Sequence, residues 1–162
     1  MQLKKQGPLV FLSVVLMLVF LAGCSDTAGP AAGAGSSPAG AKAGEAVKEK
    51  TISQGERIRI EDHLVSGKTV IFDFYSDGCP PCRRLSPILS KLAEKRPDIA
   101  LVKVDINRPG TGGIDWQSPV AQQFELSSIP HLKVYSPEGK LEAEGKAAME
   151  IVGRMIDEEG IQ

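Results

Sequence analysis

The sequence predicts an α/β domain in which a central mixed β-sheet is flanked by helices on both faces. Three observations predict it. Two largely apolar runs, residues 69–75 and 99–106, have the length and hydrophobicity of strands buried on both faces. Between them Leu85, Ile88, Leu89 and Leu92 recur at spacings of three and four, the period of an amphipathic helix. Strand, helix and strand in that order make a parallel pair joined by a crossover. Further on, residues 131–136 and 141–145 flank Pro137-Glu138-Gly139-Lys140, a turn signal that adds an antiparallel hairpin.

Taken in order, the chain begins with basic Lys4 and Lys5, an apolar run over residues 9–21, and Ala22-Gly23-Cys24. That run is shorter than the ~20 residues of a membrane span and closes on small residues, as a signal peptide does. An uncleaved anchor helix is the alternative. Ala, Gly, Ser and Pro then dominate as far as about residue 44, followed by a charged lead-in over residues 45–50. Without apolar periodicity such a stretch cannot offset its ordering entropy. It reads as a flexible tether with a reach of roughly 25–30 Å. The boundaries are therefore a signal peptide over 1–23, a tether over 24–50 and a folded domain over 51–162.

Within the domain, Arg57-Ile58-Arg59-Ile60 alternates polar and apolar residues and predicts a short edge strand. A single helical turn over residues 61–65 and a turn at Ser66-Gly67-Lys68 precede the first apolar run. The long helix spans residues 79–95, with Pro87 inside it removing a backbone hydrogen bond. A Gly- and Pro-rich loop over residues 107–118 holds Trp116, the single tryptophan. A short helix follows over residues 119–126, capped by Ser118 with Pro119 at its first position. The last helix, residues 147–159, places Met149, Val152, Met155 and Ile156 on one face.

The net charge is −1, which argues against a nucleic-acid partner, since that would call for a basic patch. The chemistry lies in the cysteines. Cys79-Pro80-Pro81-Cys82 follows a strand and opens a helix, the setting of a redox pair. A passive staple and a pair of zinc ligands are the alternatives; no second CxxC and no matching histidine pair accompany it. At a helix N-terminus, unpaired N–H groups and the helix dipole stabilise a thiolate at Cys79, and Cys82 one turn deeper resolves the mixed disulfide. Asp73 is a charge inside an apolar strand. Burial would raise its pKa and equip it to accept the Cys82 proton, with Lys103 as a modulator; the alternatives are that Asp73 faces solvent and that Lys103 occupies an exposed strand position without a role.

Leu21-Ala22-Gly23-Cys24 resembles the lipobox of bacterial lipoproteins. The resemblance implies that Cys24 is acylated and becomes the mature N-terminus, which leaves 17 basic against 20 acidic residues, a net charge of −3. It also implies that Cys79 and Cys82 are the free thiols. Ser25 and Asp26 leave the choice between inner and outer membrane open. The domain resembles the thioredoxin superfamily in an ordered set of features: Asp73 six positions before Cys79, the CxxC pair, Pro87 eight residues after Cys79, Lys103-Val104-Asp105, Ile129-Pro130 opening a strand, and Pro137-Glu138-Gly139-Lys140 with Gly145. This resemblance implies a thioredoxin fold, a cis Pro130, and an Ile129 backbone set against the substrate chain. Two departures stand out. Gly78 occupies the place where these proteins usually carry tryptophan, which leaves the nucleophile's rim open. The loop over residues 108–118 is also longer than the minimal fold requires, and Trp116 either lines a substrate groove or covers the core edge.

Together these readings imply a membrane-tethered, extracytoplasmic thiol–disulfide oxidoreductase of the cell envelope, a monomer without a cofactor. It would reduce disulfides of exported proteins and draw electrons from a transmembrane thiol donor. The alternatives are a disulfide oxidase or isomerase, a redox-inert binding module, and a thioredoxin-fold copper metallochaperone with Cys79, Cys82 and His131 as ligands.

Overall fold

The computed structural model describes residues 49–162; the expected signal peptide, Cys24 and the expected tether up to residue 48 lie outside the described residues. Five strands form one sheet in the order β1-β3-β2-β4-β5. β1 (Glu49–Gln54), β3 (Ile99–Asp105) and β2 (Thr69–Tyr75) run parallel. β4 (His131–Tyr135) and β5 (Leu141–Glu144) are antiparallel to their neighbours. The sheet is mixed, as the apolar runs and the hairpin signal imply.

Because successive strand residues point to opposite faces, β2 divides its side chains between two cores. Val70, Phe72 and Phe74 join Ile58, Ile60, Val102, Val104 and Val120 on one face. That face is covered by a 3-10 turn (Ile60–His63) and by α2 (Pro119–Gln123). Ile71 packs on the other face with Leu89, Leu92, Leu101, Leu132 and Val152. There the cover is α1 (Pro80–Lys95) and α3 (Gly145–Glu158). Asp73 shares the Ile71 side of the strand, pairing in register with Lys103 on β3 and Leu132 on β4. α1 runs through Pro87, and its buried stripe is Cys82, Ser86, Leu89, Leu92 and Ala93.

The edge strand is a correction. Arg57-Ile58-Arg59-Ile60 does not pair with the sheet; Glu49–Gln54 does, and Glu49 and Lys50, assigned above to the tether, sit opposite Leu101 and Val102. Ile58 and Ile60 are nevertheless buried. What satisfies the Ile58 backbone is the Gln123 side chain, whose Oε1 accepts from the Ile58 N–H at 3.1 Å while its Nε2 donates to the Ile58 carbonyl at 2.6 Å. One amide thus replaces a neighbouring strand as hydrogen-bond partner. The second short helix also stops earlier than its sequence pattern, at Gln123, and Glu125 takes a left-handed conformation with φ 50° just beyond it.

Candidate active site

The candidate site gathers where the C-terminal end of β2, the start of α1 and the start of β4 meet. Cys79 is the N-cap of α1, with Pro80 and Pro81 in the first turn, where their missing N–H groups cost nothing. Cys79 and Cys82 form a disulfide with their Cα atoms 5.3 Å apart. The Cys82 N–H points at Cys79 Sγ at 3.2 Å, so the helix aims an unpaired amide at the sulfur that must carry negative charge when the pair is reduced. Opposite, the Ile129 carbonyl oxygen lies 3.7 Å from the same sulfur, and the Ile129–Pro130 peptide is cis. Both cysteines are recessed, Cys79 being 2% and Cys82 1% exposed.

On the α1 side of the sheet Asp73 is 0% exposed. Its Oδ2 accepts a hydrogen bond from Ser86 Oγ at 2.9 Å, and its Oδ1 has no hydrogen-bond partner. Burial pushes the Asp73 pKa up to about 6, against opposing pulls from the Ser86 hydroxyl and the Lys103 charge. Such a carboxyl is part ionised at neutral pH and can take a proton. Lys103 is not dedicated to Asp73: its Nζ lies 3.6 Å from Glu49 Oε1 and 4.8 Å from the Tyr75 ring centroid. Ser86 was not singled out by sequence reasoning. The signal that could have found it is a hydroxyl on an otherwise buried helical stripe, four residues after Cys82.

Gly78 corrects a second expectation. A Cβ at residue 78 would lie 2.5 Å from the Gly113 carbonyl oxygen, so the long loop occupies the direction in which a side chain would project. The rim is not left open; the backbone of Gly113 forms it. Asn107 Nδ2 donates to that carbonyl at 2.7 Å, and Ser76 Oγ approaches it at 3.4 Å while accepting from the Gly78 N–H at 3.1 Å. Buried Asp115 fixes the loop from within, pairing with Arg108 Nε at 2.6 Å and Nη2 at 3.0 Å. The Arg108 guanidinium holds the Asp115 carboxyl well below the usual carboxylate range. Trp116 packs half-buried against the core cluster that contains Phe74.

His131 follows Pro130 but serves the opposite face from Asp73. It pairs with Phe74 in register and stacks edge-on against that ring at 5.9 Å. Its Nε2 is buried, lacks a hydrogen-bond partner, and lies 3.8 Å from Glu144 Oε1. Among the described residues no group of three His, Cys, Asp or Glu side chains is placed to hold a metal ion.

Comparison with known proteins agrees with the fold. The family profile described as Thioredoxin matches residues 59–157. A thioredoxin H-type from Brassica oleracea is 30% identical over 115 residues, covering 70% of this chain and 86% of the relative. Thioredoxin-2 of Saccharomyces cerevisiae is 36% identical over 91 residues, covering 56% and 73%. Among solved structures, the short form of spinach chloroplast thioredoxin f superposes with a TM-score of 0.50 at 21% identity, covering 69% of this chain and 93% of that one.

Two predictions follow from the buried carboxyl and the glycine contact. An Asp73 pKa of about 6 in the folded chain against about 3.9 unfolded means that the fold favours the protonated form. The associated stability is full below about pH 4 and is lost as pH rises through 6. Asp73→Asn is therefore expected to raise stability at pH 8 by roughly 2–3 kcal/mol and to have little effect near pH 4. Urea unfolding of both proteins at the two pH values checks this, and a variant no more stable at pH 8 would contradict it. Gly78→Ala is expected to cost about 1–3 kcal/mol by overpacking. Gly112→Ala, whose Cβ would have no atom within 4 Å, should stay within about 0.5 kcal/mol in the same assay.

Proposed function

We propose that this chain, which belongs to the thioredoxin family and is a thiol–disulfide oxidoreductase, reduces disulfides of exported proteins while held to a membrane outside the cytoplasm. The observation that carries the catalytic part is the Cys82 amide directed at Cys79 Sγ at the N-terminus of α1. That arrangement supports Cys79 as the nucleophile, because thiolate formation is the condition for attack. In the reduced protein Cys79 attacks one sulfur of a substrate disulfide. A Cys79–substrate S–S bond forms, the substrate's own S–S bond breaks, and one substrate thiolate leaves. Cys82 gives its proton to Asp73 and attacks Cys79 Sγ. The Cys79–Cys82 disulfide forms and the second substrate thiolate departs. Two electrons have passed to the substrate, and a transmembrane thiol donor returns them to the pair.

The direction of flow rests on the residues between the cysteines. Pro80 and Pro81 carry no charge and offer the Cys79 thiolate no imidazolium, so the reduced form lacks one source of stabilisation that makes a dithiol strongly oxidising. Ile129 and Pro130 are proposed to receive the substrate chain beside Cys79, with Gly78 and the Gly113 backbone forming the facing wall. Attachment rests on the lipobox-like Leu21-Ala22-Gly23-Cys24. Several acyl chains on Cys24, at about 0.8 kcal/mol per buried methylene, would make it effectively permanent. The tether lets the domain reach substrates near that surface.

The reduction potential of the Cys79–Cys82 pair, measured by equilibration against a defined thiol couple, is expected near about −270 mV. A value near about −120 mV would replace the reductase by an oxidase. Insulin reduction should disappear in Cys79→Ser, and its survival would overturn the nucleophile assignment. For attachment, Cys24→Ser is expected to move the protein from the membrane to the soluble fraction of a bacterial host; retention in the membrane would sink the lipid anchor.

A further inference from the structure

We propose that Ser86 is a positioning residue for resolution of the mixed disulfide: it clamps Oδ2 of Asp73 and so reserves Oδ1 as the oxygen that receives the Cys82 proton. This rests on the reading of Asp73 as the base for Cys82. Ser86 stands one helical turn after Cys82, and on an α-helix residues four apart share a face. Side chains there lean toward the helix N-terminus, so the Ser86 hydroxyl lies over the turn that carries Cys82. From that position it donates to Oδ2 at 2.9 Å, while Oδ1, equally buried, accepts from no group. A carboxylate with one oxygen engaged and the other free presents a single acceptor in a fixed orientation.

A hydrogen bond donated to the ionised carboxylate also stabilises that form against desolvation. Without it the buried carboxyl would hold its proton to a higher pH and be a base in fewer molecules. The remaining groups around Asp73 do less. Lys103 on β3 divides its charge with Glu49 on β1, Tyr75 lies two residues on along β2, and β4 offers only Leu132 in register. α1 contributes Arg83, Lys91 and Glu94 to a cavity of about 600 Å³ that Ser86, Tyr75, Asp77 and Lys103 also line. Ser86 thus joins the sealed carboxyl to a cavity that can hold water. The proton that leaves Cys82 as its sulfur bonds to Cys79 rests on Oδ1, and when the pair is reduced again Oδ1 returns a proton to the departing Cys82 thiolate.

The test is single-turnover reduction of a disulfide-linked peptide by the reduced protein, followed from pH 5 to 9. Wild type, Ser86→Ala, Ser86→Thr, Ser86→Val and Asp73→Asn are compared. The inflection due to Asp73 is expected to move up by about one pH unit in Ser86→Ala and Ser86→Val. It should return toward the wild-type position in Ser86→Thr, which keeps the hydroxyl, and vanish in Asp73→Asn. The carboxyl-carbon chemical shift of Asp73, titrated by NMR, should show the same displacement independently of turnover. A rate lowered equally at every pH with the inflection and the NMR titration unmoved would reduce Ser86 to a packing role and overturn the proposal. An inflection that persists in Asp73→Asn would instead overturn the reading of Asp73 on which the proposal stands.

Discussion

Burying a carboxyl group inside a sheet is costly unless its charge is answered or its proton retained. The central strand of this domain accepts that cost at Asp73, and its surroundings are arranged about it. The neighbours of β2 place Lys103 on one side and Leu132 on the other, one cationic and shared, one apolar. The helix packed above supplies one hydroxyl and no second donor. The outcome is a carboxyl poised between its two protonation states near neutrality. A fully paired aspartate would hold no proton there, and an unrelieved one would hold it too firmly.

The dithiol and the carboxyl are positioned by the same helix. α1 begins at the disulfide, where the Cys82 N–H faces Cys79 Sγ, and the same helix turns Cys82 and Ser86 inward along its buried stripe. Any rotation of α1 would move the sulfurs and the hydroxyl together. Leu89, Leu92 and Ala93, packed against Ile71, Leu101 and Val152, resist such a rotation, so ordinary core packing sets the geometry of the chemistry. The cis Ile129–Pro130 peptide completes the rim from the β4 side.

Much of this was legible in the residues because apolar runs and helical spacing report burial directly. The strands β2 and β3, the long helix, the hairpin and the redox pair all follow from patterns of that kind. The edge strand did not, for a physical reason. Glu49-Lys50-Thr51-Ile52-Ser53-Gln54 is an edge strand with largely exposed side chains, whereas Arg57-Ile58-Arg59-Ile60 alternates yet has its Ile58 backbone bonded by the Gln123 side chain. Periodicity reports which side chains are buried and is silent about which group satisfies the backbone. Ser86 and Gly113 were hidden for a related reason: their roles depend on contacts 13 and 35 positions away along the chain, at Asp73 and Gly78, which no local pattern encodes.

Read as sequence, the glycine before Cys79 and the extended loop are two separate departures from the family. In three dimensions they are one, since the Gly113 carbonyl stands where a side chain at residue 78 would go. The length of this loop and the identity of the residue preceding the first cysteine are therefore coupled variables. Among related chains, an aromatic at that position should accompany a short loop and a glycine a long one, inherited or lost together. Grafting a tryptophan-containing active-site motif onto this scaffold would accordingly require shortening the loop in the same step.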